Sequence, residues 1–340
     1  MKLILSTSNI MLLGSSIRRD PTVKSNTELV ASFRSHFAAN STVPETNGNV
    51  VSHASTGNSA SERAHYRSWT HMADDGRREL EIPKIDFERS GLVEEREQYD
   101  ITLKLFFLPG STAAHRDTRT REAVKLVLKE LHVQSIDLLI VSFPGIYFDE
   151  EEDCPEKLST RGPVQVDPEP LDTQLHSWNT LEALQEEGVV KRIGIAEFGH
   201  DRLASFLEKA RIPPTVNQIN LRDCCSVPKE LLSLAKSRGV ELLVHNDCSD
   251  ILPRGTVREL LGPEEGGAGV LAHPDRTSGK RKSLHEEVSQ NGTVEDALRG
   301  EVQPLWVVKY TAVVKNRGVV ENKGYFAVAE MTDTKTIDKD

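Results

Sequence analysis

The sequence predicts an α/β fold built around a parallel β-sheet. Apolar runs of strand length alternate with stretches of helical periodicity through the middle of the chain, and sustained alternation of this kind is typical of parallel sheets. The run at residues 136–141 (IDLLIV) is continuously apolar, as expected for a strand covered on both faces. Gly188 and Gly239 each follow a helical stretch at the position where helices end. The spacing does not distinguish an open sheet from a closed barrel.

The same periodicities give the individual elements. The predicted strands lie at residues 3–5, 10–13, 101–108, 136–141, 189–195, 216–221, 240–245 and 318–320. The predicted helices lie at residues 119–131, 171–186, 201–210, 228–237 and 305–314. The first helix is expected to begin at a cap formed by Thr118 or Thr120. The last is an apolar segment (LWVVKYTAVV), on which Trp306 and Tyr310 are expected to share one face.

Composition limits the possible partners. The chain has 340 residues, of which 37% are hydrophobic and 28% are charged, and this length suffices for one large barrel or two ordinary domains. Its net charge of −10 provides no basic field for nucleic acid or anionic lipid. No stretch approaches the roughly 20 apolar residues of a membrane span. We therefore expect neither a nucleic-acid partner nor a membrane partner.

The N-terminus and the cysteines indicate a cytoplasmic protein. Residues 6–9 (STSN) interrupt the apolar residues near the N-terminus, whereas a secretory signal has a continuous apolar core of about 7–15 residues. The cysteines show no CxxC motif and no pairing framework, which is typical of a reducing compartment. The adjacent residues Cys224 and Cys225 have no neighbouring partners for a zinc site, so no metal is expected.

Two polar stretches interrupt the alternation of strands and helices. Residues 40–61 are rich in Ser, Asn, Thr and Gly, and residues 262–300 are rich in Gly, Glu, Lys and Ser. Neither stretch has an apolar period that could offset the entropy of ordering, so both are expected to be mobile insertions. The sequence therefore predicts a single folded unit at residues 1–330, followed by a polar tail at residues 331–340.

Several segments resemble the aldo-keto reductase family, and they occur in that family's order. They are residues 136–144 (IDLLIVSFP), 193–198 (IGIAEF), 216–220 (VNQIN) and 317–320 (RGVV). The resemblance implies a (β/α)8 TIM barrel of aldo-keto reductase type, with its site at the C-terminal ends of the strands. That family transfers hydride from NADPH to a carbonyl group. It uses a tyrosine acid tuned by lysine and aspartate, and a histidine that orients the substrate.

Most residues of that chemistry are missing from this sequence. Lys104 lies where the family has its lysine, but Ser142 replaces the histidine, and neither the tyrosine nor the aspartate can be placed. Ala196 and Glu197 replace the Ser-Asn pair that holds the nicotinamide amide, and a carboxylate there repels the cofactor diphosphate. Gln218 is retained. The resemblance therefore implies relic positions, with no catalytic residues and no bound cofactor.

A more specific resemblance is to the regulatory (modifier) subunits of glutamate–cysteine ligase. It rests on residues 216–221 (VNQINL), 223–225 (DCC), 244–247 (VHND) and 306–325. This resemblance implies a non-catalytic protein that forms a heterodimer with the catalytic subunit. It further implies that the chain raises the affinity of that subunit for glutamate and relieves feedback inhibition by glutathione. The implied partner or redox contacts are Cys224, Cys225, His245, Asn246 and Asp247.

The sequence leaves alternatives open for these residues and for the whole chain. Cys224 and Cys225 could equally pack as small hydrophobic residues. His245 and Asp247 could serve structural hydrogen bonds. The chain itself could be a divergent NADPH-dependent aldo-keto reductase with a tyrosine recruited from elsewhere, or a scaffold for a different partner.

Overall fold

The structure is a computed structural model, and it describes residues 1–12, 25–42, 64–73, 78–148, 167–221, 226–248, 250–273 and 297–332. Its strands are β1 (Lys2–Ser6), β2 (His71–Met72), β3 (Glu79–Ile82), β4 (Tyr99–Phe107), β5 (Ile136–Ser142), β6 (Val190–Ala196), β7 (Val216–Ile219), β8 (Glu241–Val244), β9 (Glu301–Val314) and β10 (Val319–Thr332). Its helices are α1 (Ser25–Ser41), α2 (Arg116–Leu131), α3 (Leu171–Glu186), α4 (His200–Lys209), α5 (Lys229–Arg238) and α6 (Arg254–Leu261).

The parallel part of the sheet follows the predicted alternation. Strands β4 to β8 are parallel neighbours, and helices α2 to α5 connect them in turn. The prediction of an α/β fold is thus confirmed. Helix α3 has the predicted bounds, and Gly239 ends α5 in the left-handed conformation, with a φ of 69°. Helix α2 begins earlier than expected, at Arg116, and the Thr120 hydroxyl donates to the Arg116 carbonyl instead of capping the helix.

The full sheet is mixed and, within the described residues, open. Its ten strands lie in the order β2-β3-β1-β10-β9-β4-β5-β6-β7-β8. Strands β9 and β10 form a long antiparallel hairpin beside β4, and β10 also pairs with β1. The edge strands are β2 and β8, so the described strands do not close into a barrel.

Residues 305–314 form a strand and not the predicted helix. They belong to β9, which is hydrogen-bonded to β4 on one side and to β10 on the other. The prediction was wrong because a short, continuously apolar run looks the same in a buried strand as in a buried helix. Trp306 and Tyr310 share a face in either structure, since side chains four residues apart also point the same way in a strand. Both are buried in the core.

Both ends of the chain differ from the sequence prediction. Residues 10–12 form a turn instead of a second strand, because the Asn9 side chain accepts a hydrogen bond from the Met11 backbone N–H. The strand predicted at residues 318–320 continues through β10 to Thr332. Leu13 and residues 333–340 lie outside the described part of the chain.

The sheet has a hydrophobic core on each face. Helices α2 to α5 lie on one face, where Trp178, Phe198 and Phe206 belong to the core. Helices α1 and α6 lie on the opposite face, around Phe33 and Leu260. The helices of a closed barrel surround its outside. The face that carries α1 and α6 therefore corresponds to the interior of a barrel.

Helices α1 and α6 were not predicted from the sequence. Helix α1 places Leu29, Phe33 and Phe37 in its core at intervals of four residues, and this helical spacing was the signal that could have found it. Helix α6 spans eight residues, which is shorter than the roughly 10–12 residues that periodicity needs.

The insertion predicted at residues 262–300 is shorter than expected. Val270 and Leu271 are buried in the core with α1 and α6, and Leu271 pairs with Leu298 in a β-bridge. The predicted insertion was too long at both ends, because the apolar residues there are too few to show a helical or strand periodicity. Residues 274–296 of this insertion lie outside the described part of the chain. In the other predicted insertion, helix α1 extends as far as Ser41, and residues 43–61 lie outside the described part. None of the described helices is long and apolar enough to cross a membrane.

Candidate functional site

A cluster of charged side chains lies toward the C-terminal ends of the parallel strands. Lys104 comes from β4, Glu197 follows β6, and His245 and Asp247 follow β8. Lys309 comes from the neighbouring strand β9. The side chains of Lys104, Asp247, His245 and Glu197 are 5, 4, 6 and 2% exposed, whereas that of Lys309 is 21% exposed. The cluster is therefore largely shielded from bulk solvent.

Asp247 is bonded to both lysines of the cluster. Lys104 Nζ donates to Asp247 Oδ2 at 3.0 Å, and Lys309 Nζ donates to Asp247 Oδ1 at 2.8 Å. Burial opposes ionisation of Asp247, but the two ammonium groups outweigh it and hold the pKa of this carboxyl well below its ordinary value. Burial also lowers the pKa of Lys104, against the attraction of Asp247. For Lys309 the attraction of Asp247 outweighs burial and raises the pKa.

His245 connects this group to Glu197. The Asp247 backbone N–H donates to His245 Nδ1 at 2.9 Å, so the ring proton belongs on Nε2, which lies 2.7 Å from Glu197 Oε1. Burial and the nearby Lys104 ammonium lower the pKa of His245, which keeps the ring neutral. The two lysines and the two carboxylates then balance in charge within one buried network.

The backbone at Glu197 is held in an unusual conformation. Its φ is 69°, in the left-handed region that is unfavourable for a residue with a side chain. The Glu197 N–H donates to the Gln218 carbonyl at 2.9 Å, and Glu197 Oε2 accepts the Phe148 N–H at 3.0 Å. These contacts direct the carboxylate into the cluster, where the aldo-keto reductase pattern has an amide.

The other sequence-predicted residues are spread around the cluster. Ser142 is buried at the end of β5, and Ala196 is buried on β6 beside Gln218 of β7. Gln218 Oε1 is buried and has no hydrogen-bond partner in the described ranges. Asn246 is half-buried between His245 and Asp247. Cys224 and Cys225 lie outside the described residues, so their expected role stays a prediction.

Sequence analysis missed Lys309. The signal was present, because a single lysine within the apolar run LWVVKYTAVV is out of place in a buried element unless it is paired. The register places Lys309 directly across from Lys104 on β4 and from Tyr325 on β10. Interpreting the run as a helix concealed this position, since the strand neighbours of Lys309 are far away in sequence.

Three buried tyrosines have hydroxyl groups that are bonded to glutamates outside the cluster. The hydroxyl groups of Tyr99 and Tyr325 each donate to a glutamate at 2.5 Å, and that of Tyr310 donates to Glu130 at 3.3 Å. Burial raises the pKa of all three phenols. A reductase acid instead needs a lowered pKa beside the reacting carbonyl.

Three surface clefts lie away from the cluster. Surface clefts of about 870, 610 and 500 Å³ are lined by residues other than those of the cluster. Within the described ranges, no group of three or more His, Cys, Asp or Glu side chains could hold a metal ion. As it stands, the cluster is an internally paired ionic network.

Comparison with known proteins identifies the region in which this cluster lies. Residues 87–248 match the model of the aldo/keto reductase family. Over this region the chain is similar to that family. The region contains Lys104, Glu197, His245 and Asp247, and the hairpin that supplies Lys309 lies after it.

Relatives that match beyond this region are regulatory subunits. The human glutamate–cysteine ligase regulatory subunit is 27% identical over 237 residues, which cover 70% of this chain and 68% of the relative. A putative glutamate–cysteine ligase regulatory subunit of Schizosaccharomyces pombe is 25% identical over 248 residues, which cover 70% of this chain and 74% of the relative. The resemblance to this group of subunits is thus confirmed as homology.

Two enzymes match over a shorter length. Deoxymugineic acid synthase 1-B of Triticum aestivum is 29% identical over 158 residues, or 46% of each chain. Among solved structures, aldose reductase from Giardia lamblia is 28% identical, with a TM-score of 0.31 and coverage of 44% of this chain and 46% of that chain.

Proposed function

We propose that this chain is a non-catalytic regulatory subunit that binds the catalytic subunit of glutamate–cysteine ligase. In this role it raises the affinity of the partner for glutamate and relieves feedback inhibition by glutathione. The proposal places the chain in the cytoplasm, in a heterodimer with its partner and without a cofactor of its own. It also implies that the region similar to aldo/keto reductases serves to present a surface.

The observation that carries the proposal is the internal pairing of the charged cluster. Reductase chemistry needs a tyrosine beside the lysine, but the phenol groups of Tyr99, Tyr310 and Tyr325 are bonded to glutamates. Lys104 is bonded to Asp247 and lies against His245. Glu197 stands at the position of the nicotinamide contact, where its Oε2 accepts the Phe148 N–H and its Oε1 lies 2.7 Å from His245 Nε2. Opening this network for a dinucleotide would leave buried charges unpaired, which is strongly unfavourable.

The relatives support the same proposal. Those that match over 70% of this chain are named as regulatory subunits, whereas the matched synthase covers 46% of the chain. A regulatory subunit acts by binding the active conformation of its partner more tightly than the inhibited conformation. A large folded body whose former site is filled is suited to that role.

The candidate contact residues divide into two groups under this proposal. His245 and Asp247 are buried by their own chain, so we propose that they act indirectly, by fixing the segment that follows β8. Cys224, Cys225 and Asn246 remain the candidates for direct or redox contact with the partner.

A divergent reductase is the second candidate function, and Lys104 is the observation that favours it. This lysine is retained inside the region that matches the aldo/keto reductase family. Reductase activity would require a phenol group to approach Lys104 when substrate binds. Titration with NADPH distinguishes the two candidates.

Partner binding is tested by sedimentation velocity on a mixture of the purified chain and the catalytic subunit under reducing conditions. We expect a one-to-one complex. The double variant Cys224→Ser and Cys225→Ser should form the same complex if the two thiols only pack or cross-link. Independent sedimentation of the two proteins at micromolar concentrations would contradict the proposal.

A further inference from the structure

A separate cavity lies at the opposite end of the sheet from the charged cluster. Its volume is about 870 Å³, which is within the range of small-molecule sites. It is formed by parts of α1, the segment at residues 84–91, the end of α2 and the start of β10. We call it the basal cavity, because it lies at the end where the parallel strands begin.

The basal cavity contains a buried carboxyl group that has no lysine or arginine partner within the described residues. Glu130, next to the end of α2, is 2% exposed and lines the cavity. Tyr310 donates to its carboxylate from β9 at 3.3 Å, and Ser90 lies within hydrogen-bonding reach. Within the described residues, no lysine or arginine neutralises this carboxylate. Burial raises the pKa of Glu130 to about 7, because the charged form lacks both water and a counter-ion.

Two other residues of the basal cavity have unsatisfied polar atoms. Asn322 Oδ1 and Trp69 Nε1 are buried and have no hydrogen-bond partner in the part of the chain that is described. The two residues are 3 and 8% exposed. Asn322 Nδ2 donates weakly to the Gly91 carbonyl at 3.4 Å, next to Ser90. Asn322 and Glu130 both line the cavity. Buried polar atoms without partners are rare in folded proteins and call for an explanation.

We propose that the basal cavity binds a small molecule through a primary ammonium group, with Glu130 and Asn322 as the acceptors. An ammonium group carries one positive charge and three N–H donors, which match a carboxylate without a counter-ion and an unpaired amide oxygen. Trp69 supplies a donor for an oxygen atom elsewhere on the same ligand. Charge-assisted hydrogen bonds of this kind are about twice as strong as neutral ones.

The charged groups at the mouth of the basal cavity do not alter the role proposed for Glu130 as the anionic acceptor. Lys84, Asp86, Glu88 and Arg89 are exposed, and Arg89 lies 3.3 Å from Asp86. Exposed charges are screened by solvent and interact weakly with a buried group. His36 on α1 stays neutral near pH 7, because burial lowers its pKa. Glu130 is therefore the buried group of the cavity that sets its response to a cation.

The test uses pentylammonium chloride as the probe and pentan-1-ol as its neutral counterpart. Binding of each to the full chain is followed by NMR titration at pH 6 and pH 8. At pH 8 the ammonium probe should bind about tenfold more tightly than the alcohol, or better, because of its charge-assisted bonds. At pH 6 most of the Glu130 population is protonated, so this preference should shrink several-fold. Tyr310 and His132, the other titratable groups that face Glu130, cannot produce the preference at pH 8, since neither forms an anion there. The Glu130→Gln variant separates any positive charge on His132 at pH 6 from the charge of Glu130.

Variants complete the test. Glu130→Gln should remove the preference for the ammonium probe, whereas Asp117→Asn, on the exposed surface of the same helix, should keep it. Asn322→Asp adds a carboxylate and should tighten binding of the ammonium probe several-fold. The inference is overturned if wild-type protein binds both probes equally at pH 8, or if Glu130→Gln keeps the preference. If Glu130→Gln fails to fold, the wild-type pH dependence and Asn322→Asp still decide. None of these measurements involves the catalytic subunit, so the result is independent of the proposed function.

Discussion

Asp247 is the residue on which the pairing of the buried charged cluster depends. Each of its carboxylate oxygens is bonded to a different lysine, Lys104 or Lys309. The two ammonium groups keep the pKa of Asp247 well below its ordinary value, against the effect of burial. The stability that this pairing contributes is therefore present above the unfolded-state pKa of about 4 and is lost only as the pH falls through the lower folded-state pKa.

Replacing Asp247 with asparagine should destabilise the fold strongly. Asp247→Asn removes the carboxylate bonded to both Lys104 and Lys309, which lowers the free energy of unfolding by roughly 3–5 kcal/mol at pH 7. Urea denaturation measures this change. The matched control is Glu241→Gln, which removes an ion pair with Arg192 whose side chains are 45 and 51% exposed, and there the loss should stay below about 1 kcal/mol. Equal effects of the two substitutions would show that the cluster is not the paired network described above.

Glu130 should make the protein less stable as the pH rises. Burial raises its folded-state pKa to about 7, above the ordinary value of about 4.3. Between these values the unfolded chain has released a proton that the folded chain still holds, so the free energy of unfolding falls with rising pH and levels off above the folded pKa. Glu130→Gln should thus be more stable than wild type at pH 8, by up to about 3 kcal/mol, and closer to wild type at pH 5. Thermal unfolding at both pH values tests this, and a difference that does not change with pH would contradict it.

At the scale of the elements, the boundaries that sequence predicts well are those set by local signals. Helix α3 and the glycine that ends α5 follow from periodicity and from the left-handed conformation that glycine accepts. Strand β9 could not be identified in this way, since its apolar run is buried on both faces and its partners are far away in sequence. The strand conformation of that segment depends on pairing with β4 and β10, and no local sequence pattern encodes this pairing.

Helix α1 offers a direct test of the second core. Phe33 is fully buried on the face of the sheet opposite α2 to α5. Phe33→Ala should lower the free energy of unfolding by roughly 3–5 kcal/mol, because it removes a large side chain and leaves a cavity. Ala38→Ser, on the exposed side of the same helix, should change stability by less than about 0.5 kcal/mol. A small effect of Phe33→Ala in chemical denaturation would mean that α1 does not pack on the sheet.

At the scale of the whole molecule, the candidate site was predicted only in part. Lys104, Glu197, His245 and Asp247 were found through resemblance, and the fold brings all four together. The resemblance did not indicate that they bond to one another, because that depends on which side chains face each other across strands. Lys309 was missed because its strand was interpreted as a helix. Sequence thus located four members of the cluster, and the geometry supplied their pairing.

The filled site predicts that the chain does not bind NADPH. Glu197 stands where the nicotinamide contact is expected, and Lys104 is held by Asp247. Calorimetric titration of the purified chain with NADPH should give no saturable heat at cofactor concentrations that saturate an active aldo-keto reductase run alongside. Tight, saturable binding would support the reductase candidate instead.

The central claim is that this chain changes the behaviour of a separate ligase. The most direct measurement adds increasing amounts of the chain to the catalytic subunit of glutamate–cysteine ligase and determines the KM for glutamate and the inhibition constant for glutathione. A coupling free energy of about 1–3 kcal/mol corresponds to shifts of roughly 5–150-fold. We expect the KM for glutamate to fall and the inhibition constant for glutathione to rise within that range, with little change in kcat and no ligase activity of the chain alone. Both constants remaining unchanged while the complex is demonstrably saturated would contradict the assignment.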